Sequence, residues 1–188
     1  MSPDRTDTLH NRHRSPDGFG TKVKRMLWAA TEATAFRYTW PTWYRYRAWL
    51  LRRFGAEIHP TARIRRTCRI VCPWNLRVGA NTATGEEVWF YCLGPVTLGD
   101  RVTVSHFAHL CAGSHDYSDT LRMVLTRPPI TVGDDVWIAA DAFVGPGVAL
   151  GEGSILGARA AAFRDCADWQ VYGGNPAVVI AERPRPAL

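Results

Sequence analysis

The sequence predicts an all-β-dominated fold: a parallel β-helix of six-residue repeats, with a helical arm before it and a short tail after it. Three observations carry this reading. Val132, Ile138, Val144, Leu150 and Leu156 recur at every sixth position, closing at Ala162. Small or apolar residues stand two places ahead of them, at Val136, Ala142, Val148, Ser154 and Ala160. Glycine directly follows Val132, Val144, Leu150 and Leu156. A period of six fits neither the 3.6 of a helix nor the 2 of a single strand. It is the mark of a solenoid in which each unit is one short strand plus one turn, and three units close a triangular coil.

The elements follow in chain order. Residues 1–20 are polar and rich in Arg, Asp, Ser and Pro, and they read as a disordered tail. Residues 21–55 form an aromatic and basic helical arm. Val23, Leu27, Ala30 and Thr34 suggest one helical face, and Pro41 opens a second helix that carries Trp43, Tyr46, Trp49, Leu50 and Phe54 and ends at Gly55. The arm holds four of the eight tryptophans. Two roles suit it: a cap over the open end of the solenoid, whose last coil otherwise shows an unpaired edge, or a peripheral membrane contact through residues 21–53.

The β-helix covers residues 56–166. Its rhythm begins at Ile58, Ile64, Ile70 and Leu76, slips by two to Val78, Thr84 and Phe90, and slips again to Leu98, Val104 and Leu110. It stops over residues 112–131 and resumes at Val132. A segment expelled from a regular scaffold is where function is expected. Residues 167–188 form the C-terminal tail, with a turn at Gly173–Pro176.

Composition narrows the function classes. A chain of 188 residues with 46% hydrophobic residues can bury a sizeable core. No stretch approaches the roughly 20 apolar residues of a membrane span, and the first residues lack the apolar core of a signal peptide. A cytoplasmic location is expected. Cysteines at 68, 72, 92, 111 and 166 lack the spacing of a zinc site and read as free thiols. Residues 1–66 carry a net charge of +9 and residues 67–188 a net of −3. The repeat region thus offers no basic stripe, and no nucleic-acid-binding motif is present.

The repeats, the LCAGSHDYSD segment (110–119), the PPITVGDDVWIAADAFVGPGVALGEGSILGA run (128–158) and the GGNPAVVI tail (173–180) resemble the hexapeptide-repeat O-acetyltransferases, in particular the colanic-acid-type acetyltransferases of polysaccharide biosynthesis. The maltose, galactoside and nodulation-factor acetyltransferases are wider relatives. The likeness covers residues 21–183. It implies a left-handed solenoid, a homotrimer, and acetyl-coenzyme A as donor in a cleft between subunits, with no metal. It also implies a sugar or glycoconjugate as acceptor.

The chemistry needs a base, because a hydroxyl is a poor nucleophile near neutrality and an imidazole with an ordinary pKa of ~6.5 suits its deprotonation. The resemblance gives that role to His115 in the loop. Asp116 is a candidate to orient the imidazole or meet the sugar. Tyr117, Asp119, His106 and His109 are candidate acceptor contacts. For the donor, Trp137, Ala139, Ala140, Gly157 and Ala158 are candidates to line the pantetheine arm. Arg159, Arg164 and Arg183 are candidates for the coenzyme phosphates, since guanidinium groups fit phosphate geometry. The family's Thr-Lys pair is replaced by Phe163-Arg164, and Phe107 stands where galactoside relatives have asparagine. Covalent catalysis by Cys111 is disfavoured. Other readings are acetylation of a non-sugar metabolite or antibiotic at a hydroxyl or amine, a γ-class carbonic-anhydrase-like metal enzyme, and a non-catalytic scaffold.

Overall fold

The computed structural model describes residues 17–118 and 122–186. Residues 1–16, most of the expected disordered tail, and Asp119 lie outside the described residues. The chain enters as helix α1 (Phe19–Thr31), continues through a π-helical turn (Glu32–Phe36), and forms α2 (Tyr44–Arg53). It then winds a three-faced prism of about six coils.

Coil one lays β1 (Glu57–Ile58) on face one and β2 (Arg69–Ile70) on face three, with Arg63 bridged to Ala83 on face two. Coil two contributes β3 (Leu76–Val78), β4 (Ala83–Thr84) and β5 (Trp89–Tyr91). Coil three contributes β6 (Val96–Leu98), β7 (Thr103–Val104) and β8 (His109–Cys111). The ejected loop holds a hairpin of β9 (Ser114–His115) and β10 (Leu125–Thr126). Coil four is β11 (Ile130–Val132), β12 (Trp137–Ile138) and β13 (Phe143–Val144), and coil five is β14 (Ala149–Leu150), β15 (Ile155–Leu156) and β16 (Ala161–Ala162). The last strands, β17 (Gln170–Gly173) and β18 (Val178–Glu182), form an antiparallel hairpin on face two. Within the prism every pairing is parallel, and a strand exchanges bonds with the coils on both sides: Ala83 N donates to Val102 O of the next coil, and Thr84 N donates to Arg63 O of the preceding one.

The inward positions are the ones the six-period names. Ile58, Val78, Leu98, Val132 and Leu150 stack under face one; Ile64, Thr84, Val104, Ile138 and Leu156 under face two; Ile70, Phe90, Leu110, Val144 and Ala162 under face three. All are buried. Thr84 is the polar exception, and its Oγ1 accepts the Arg65 N–H at 3.0 Å.

The slips of two also have a common place. Ile70 to Val78 and Phe90 to Leu98 both cross from face three to face one, and the loop after Leu110 leaves at that same edge. The other two edges keep six residues per side. There, one residue per coil turns into the left-handed region: Asn81, Arg101 and Asp135 on one edge, Glu87, Phe107, Asp141 and Arg159 on the other, with φ between 54° and 60°. That region costs a side-chain-bearing residue roughly 1–2 kcal/mol. At the equivalent corner after β14 the residue is Gly153 (φ 65°), whose added Cβ would also meet the Trp169 ring at 2.5 Å.

The arm packs on coil one, and the stripes its spacing picks out are split between inside and outside. Trp28, not Leu27, is the buried side chain of α1, wedged against Phe36 and Phe54 at 5.8 and 5.0 Å between ring centres. In α2 the buried positions are Arg47, Ala48, Leu50 and Leu51, while Trp43, Tyr46 and Trp49 face outward. Pro41 lies in a turn ahead of that helix rather than in its first turn. The reason is the open edge of coil one, whose backbone groups need partners. Arg52 Nε donates to Ile58 O at 2.8 Å on face one, and Arg47 Nε to Ile64 O at 2.8 Å on face two. On face three Trp28 Nε1 donates to Ile70 O, and Ile70 N donates to Glu32 Oε1 at 2.7 Å. Each face thus ends on a side chain from the arm. Among the described residues no helix is long and apolar enough to cross a membrane.

Candidate active site

The loop leaves β8 through Ala112 and Gly113. Gly113 fits closely there: a Cβ would lie 3.0 Å from the Tyr91 ring and 3.1 Å from Leu93 Cδ1. The chain then pairs His115 with Leu125 and Ser114 with Thr126, and Asp116 N donates to Val124 O at 2.8 Å. At the exit, Arg127 is bonded to Asp17 at the start of the arm, and that pair, together with Arg25, holds the Asp17 carboxyl below its usual range.

His115 is exposed, and its Nδ1 lies 2.6 Å from the carbonyl oxygen of Met123. A carbonyl oxygen only accepts, so Nδ1 carries the proton and Nε2 is left with a lone pair. Met123 itself sits at φ 48°, a conformation that aims its carbonyl back across the hairpin. The ring is therefore oriented by a backbone group that no residue pattern announces. Asp116 is engaged elsewhere: its Oδ1 accepts from Ser118 N at 2.9 Å and Ser118 Oγ at 2.6 Å, and these bonds hold its carboxyl below the usual range. Tyr117 is 86% exposed at the tip of the loop.

The other histidines occupy different positions. His109 lies on the outer surface of face three, its ring stacked on Trp89 at 4.5 Å and edge-on to Phe143 at 5.4 Å. Burial pushes its pKa down, and its Nε2 has no hydrogen-bond partner among the described residues. His106 is exposed at the edge between faces two and three, beside Phe107 and above a groove of about 420 Å³ shared with Arg65 and Glu87. Burial raises the pKa of Cys111, whose Sγ donates to Gly113 O at 3.4 Å, so the thiol stays protonated. Among the described residues no group of three or more His, Cys, Asp or Glu side chains is placed to hold a metal ion.

The candidate donor residues separate into groups. Ala139, Ala140, Gly157, Ala158 and Arg159 stack on adjacent coils at the edge between faces two and three, tied by Ala139 N to Leu156 O and Arg159 N to Ala140 O at 2.8 and 2.9 Å. Trp137 stands beside them on face two, its Nε1 donating to Ser105 Oγ at 3.0 Å. Arg159 is paired with Asp141 at 3.2 Å. Arg164 is exposed at the edge between faces three and one, the edge that ejects the loop. Arg183 Nη1 donates to Asp135 O at 2.7 Å and Gly153 O at 2.9 Å, and its guanidinium lies over Trp169. In one chain, then, the loop histidine and the small-residue column stand at opposite edges of face three.

A repeat prism with one histidine-bearing loop ejected from an edge defines a hexapeptide-repeat architecture. No family model matches the chain. A protein of Escherichia coli strain K12, assigned to colanic acid biosynthesis as the acetyltransferase WcaF, is 41% identical over 170 residues, covering 89% of this chain and 93% of that protein. Among solved structures, galactoside acetyltransferase in complex with coenzyme A superposes with a TM-score of 0.80 at 24% identity, over 95% of this chain and 90% of that one. A hexapeptide-repeat acetyltransferase of Vibrio cholerae, solved with acetyl coenzyme A, gives a TM-score of 0.80 at 20% identity, over 97% of this chain and 100% of that one. The chain belongs to the hexapeptide-repeat acetyltransferase family, with the left-handed β-helix of that family.

Proposed function

We propose that the protein transfers the acetyl group of acetyl-coenzyme A to a hydroxyl of a sugar or glycoconjugate, in the cytoplasm, with His115 as general base. The observation that carries this is the Nδ1–H bond to Met123 O, which leaves Nε2 as the proton acceptor in an exposed loop. The acceptor hydroxyl gives its proton to Nε2 as its oxygen attacks the thioester carbon. The carbon–sulfur bond then breaks, and the proton passes from the imidazolium to the departing thiolate. No acyl-enzyme is needed, and the protonated Cys111 supplies no nucleophile. Donor binding in the relatives named above supports acetyl-coenzyme A, and the WcaF relative supports a polysaccharide building block as acceptor.

The working unit in this reading is a homotrimer. His115 and the column Ala139, Ala140, Gly157 and Ala158 lie at opposite edges of face three, so they meet across a seam between two copies. Trp137 flanks the thioester and Arg159 and Arg164 face the phosphates, while Tyr117 lines the acceptor side.

Incubation with labelled acetyl-coenzyme A and a panel of glycans and hydroxylated metabolites, read by mass gain, tests the reaction. Acetylation of an amine or an antibiotic and not of any glycan would replace the acceptor reading. Subunit mixing tests the seam. His115→Ala chains and Ala158→Trp chains, each inactive alone, should recover about one quarter of wild-type activity when mixed equally, because a quarter of the seams then pair an intact base with an intact donor wall. No recovery would place the whole site in one chain.

A further inference from the structure

Between residues 37 and 66 the chain carries eight arginines against one glutamate, Glu57, and that carboxylate is paired with Arg77 at 3.0 Å. The same stretch exposes large aromatic rings: Tyr38 by 80%, Trp40 by 67%, Trp43 by 56% and Trp49 by 50%. These rings are not waiting to pack on the prism, because the opposite side of α2 is already buried against coil one through Arg47, Ala48, Leu50 and Leu51. On the outer side the rings form a continuous stripe, with Trp43 to Tyr46 at 6.1 Å and Tyr46 to Trp49 at 5.8 Å between centres. The Arg53 guanidinium lies 5.8 Å over Trp49. At the foot of the stripe a groove of about 630 Å³ is lined by Trp43, Arg45, Tyr46 and Arg63.

We propose that this outer face of the arm, built from Trp40, Trp43, Tyr46 and Trp49 and ringed by Arg45, Arg53 and Arg63, seats the protein on an anionic lipid bilayer. Trp and Tyr rings settle at the level of lipid headgroups, with an apolar body on the acyl side and a polar tip in water. Arginines around them pair with headgroup phosphates and add attraction to an anionic leaflet that falls off within a Debye length. The arm is an interfacial device and not a span: α2 has 10 residues, buries one side in the protein and offers the other. Vesicle binding stands independently of the acetyl transfer proposed above. Its consequence, that an acceptor carried on a lipid is met at this surface, rests on that reading.

The test uses the full chain with vesicles of phosphatidylcholine alone and with about 30 mol % phosphatidylglycerol, read by co-sedimentation and tryptophan emission. The expected result is binding at least about tenfold stronger to the anionic vesicles, weakened by salt, with a blue-shifted emission. Trp43→Ser with Trp49→Ser, and separately Arg45→Glu with Arg53→Glu, should each lower binding about tenfold or more at an unchanged Tm, while Val178→Ser on the exposed β18 hairpin should change nothing. Equal binding to both vesicles, or binding indifferent to both double variants, overturns the proposal. So does a result in which the variants alter the oligomeric mass or the retention of an acidic polysaccharide and leave vesicle binding intact, since the face then belongs to a second copy or to a soluble polyanion.

Discussion

The arm and the loop both lack the six-residue period, and they are tied to the prism by opposite kinds of bond. The arm is anchored in the interior. Trp28 and Arg47 are fully buried, and four of its side chains take up backbone groups that coil one would leave open. The loop is anchored at its surface. A two-residue ladder, a glycine fitted under Tyr91 and an ion pair to Asp17 hold its base, while His115, Asp116 and Tyr117 stay exposed. A buried polar anchor is costly to break, because the group left behind loses its partner away from water. An exposed hydrogen bond is cheap to break but sets direction. In the reading proposed above the arm carries stability and the loop carries chemistry, and substitutions should separate the two.

The largest effect expected is on the loop side. His115→Ala should lower kcat/KM by about 10²–10⁴ with donor binding and Tm preserved, the usual worth of general-base assistance. A folded variant with near-normal turnover would remove the assignment. On the arm side Arg47→Leu should do the reverse: turnover per folded molecule intact, stability lower by about 3–5 kcal/mol in denaturant unfolding, since Ile64 O, Trp40 O, Pro41 O and Thr39 Oγ1 all lose their donor. Trp28→Phe keeps an aromatic ring but removes the donor to Ile70 O and part of the buried indole, so a loss of about 1–3 kcal/mol is expected.

Glu32 gives a smaller effect with a defined sign. Burial raises its pKa, so the folded state favours the protonated form. Its contribution is complete below the ordinary carboxylate value and is lost as pH climbs through the raised one. Glu32→Gln keeps an oxygen for the Ile70 N–H and should flatten that part of the stability curve, read as Tm between about pH 4 and about pH 7. The smallest effect is at Asp116. Its carboxylate caps Ser118 and the ring of His115 is held by Met123 O, so Asp116→Asn should change kcat by less than about threefold. A drop comparable to that of His115→Ala would mean that the carboxylate, and not the carbonyl, supports the base.

Much of the fold was legible because inward side chains repeat strictly in a solenoid. Every position named from Ile58 to Leu156 by the six-period is buried, and the family resemblance singled out the loop that interrupts it. The arm was legible only as helical. Its apolar stripe left a cap and a membrane contact open; Leu50 packs inward while Trp43, Tyr46 and Trp49 point outward, and Arg47, a charged residue, meets the backbone edge of coil one. The left-handed corners were missed as well: Asp135, Asp141 and Arg159 recur every six residues, but glycine, the usual signal for that conformation, stands in the series only at Gly147 and Gly153. The donor candidates at Ala139, Ala140, Gly157 and Ala158 do share an edge, whereas Arg183 is held by carbonyls from two coils, contacts that no local pattern encodes.

By itself the chain's periodicity determined which side chains point inward and how many residues each side of the prism holds, since both follow from strand alternation and turn length. Where the extra residues go, which groups close the first coil, and what holds the His115 ring were decided only in three dimensions. Each of these depends on a backbone donor or acceptor left unpaired by its own coil, and the partner that satisfies it lies on a different coil, on the arm, or across the hairpin.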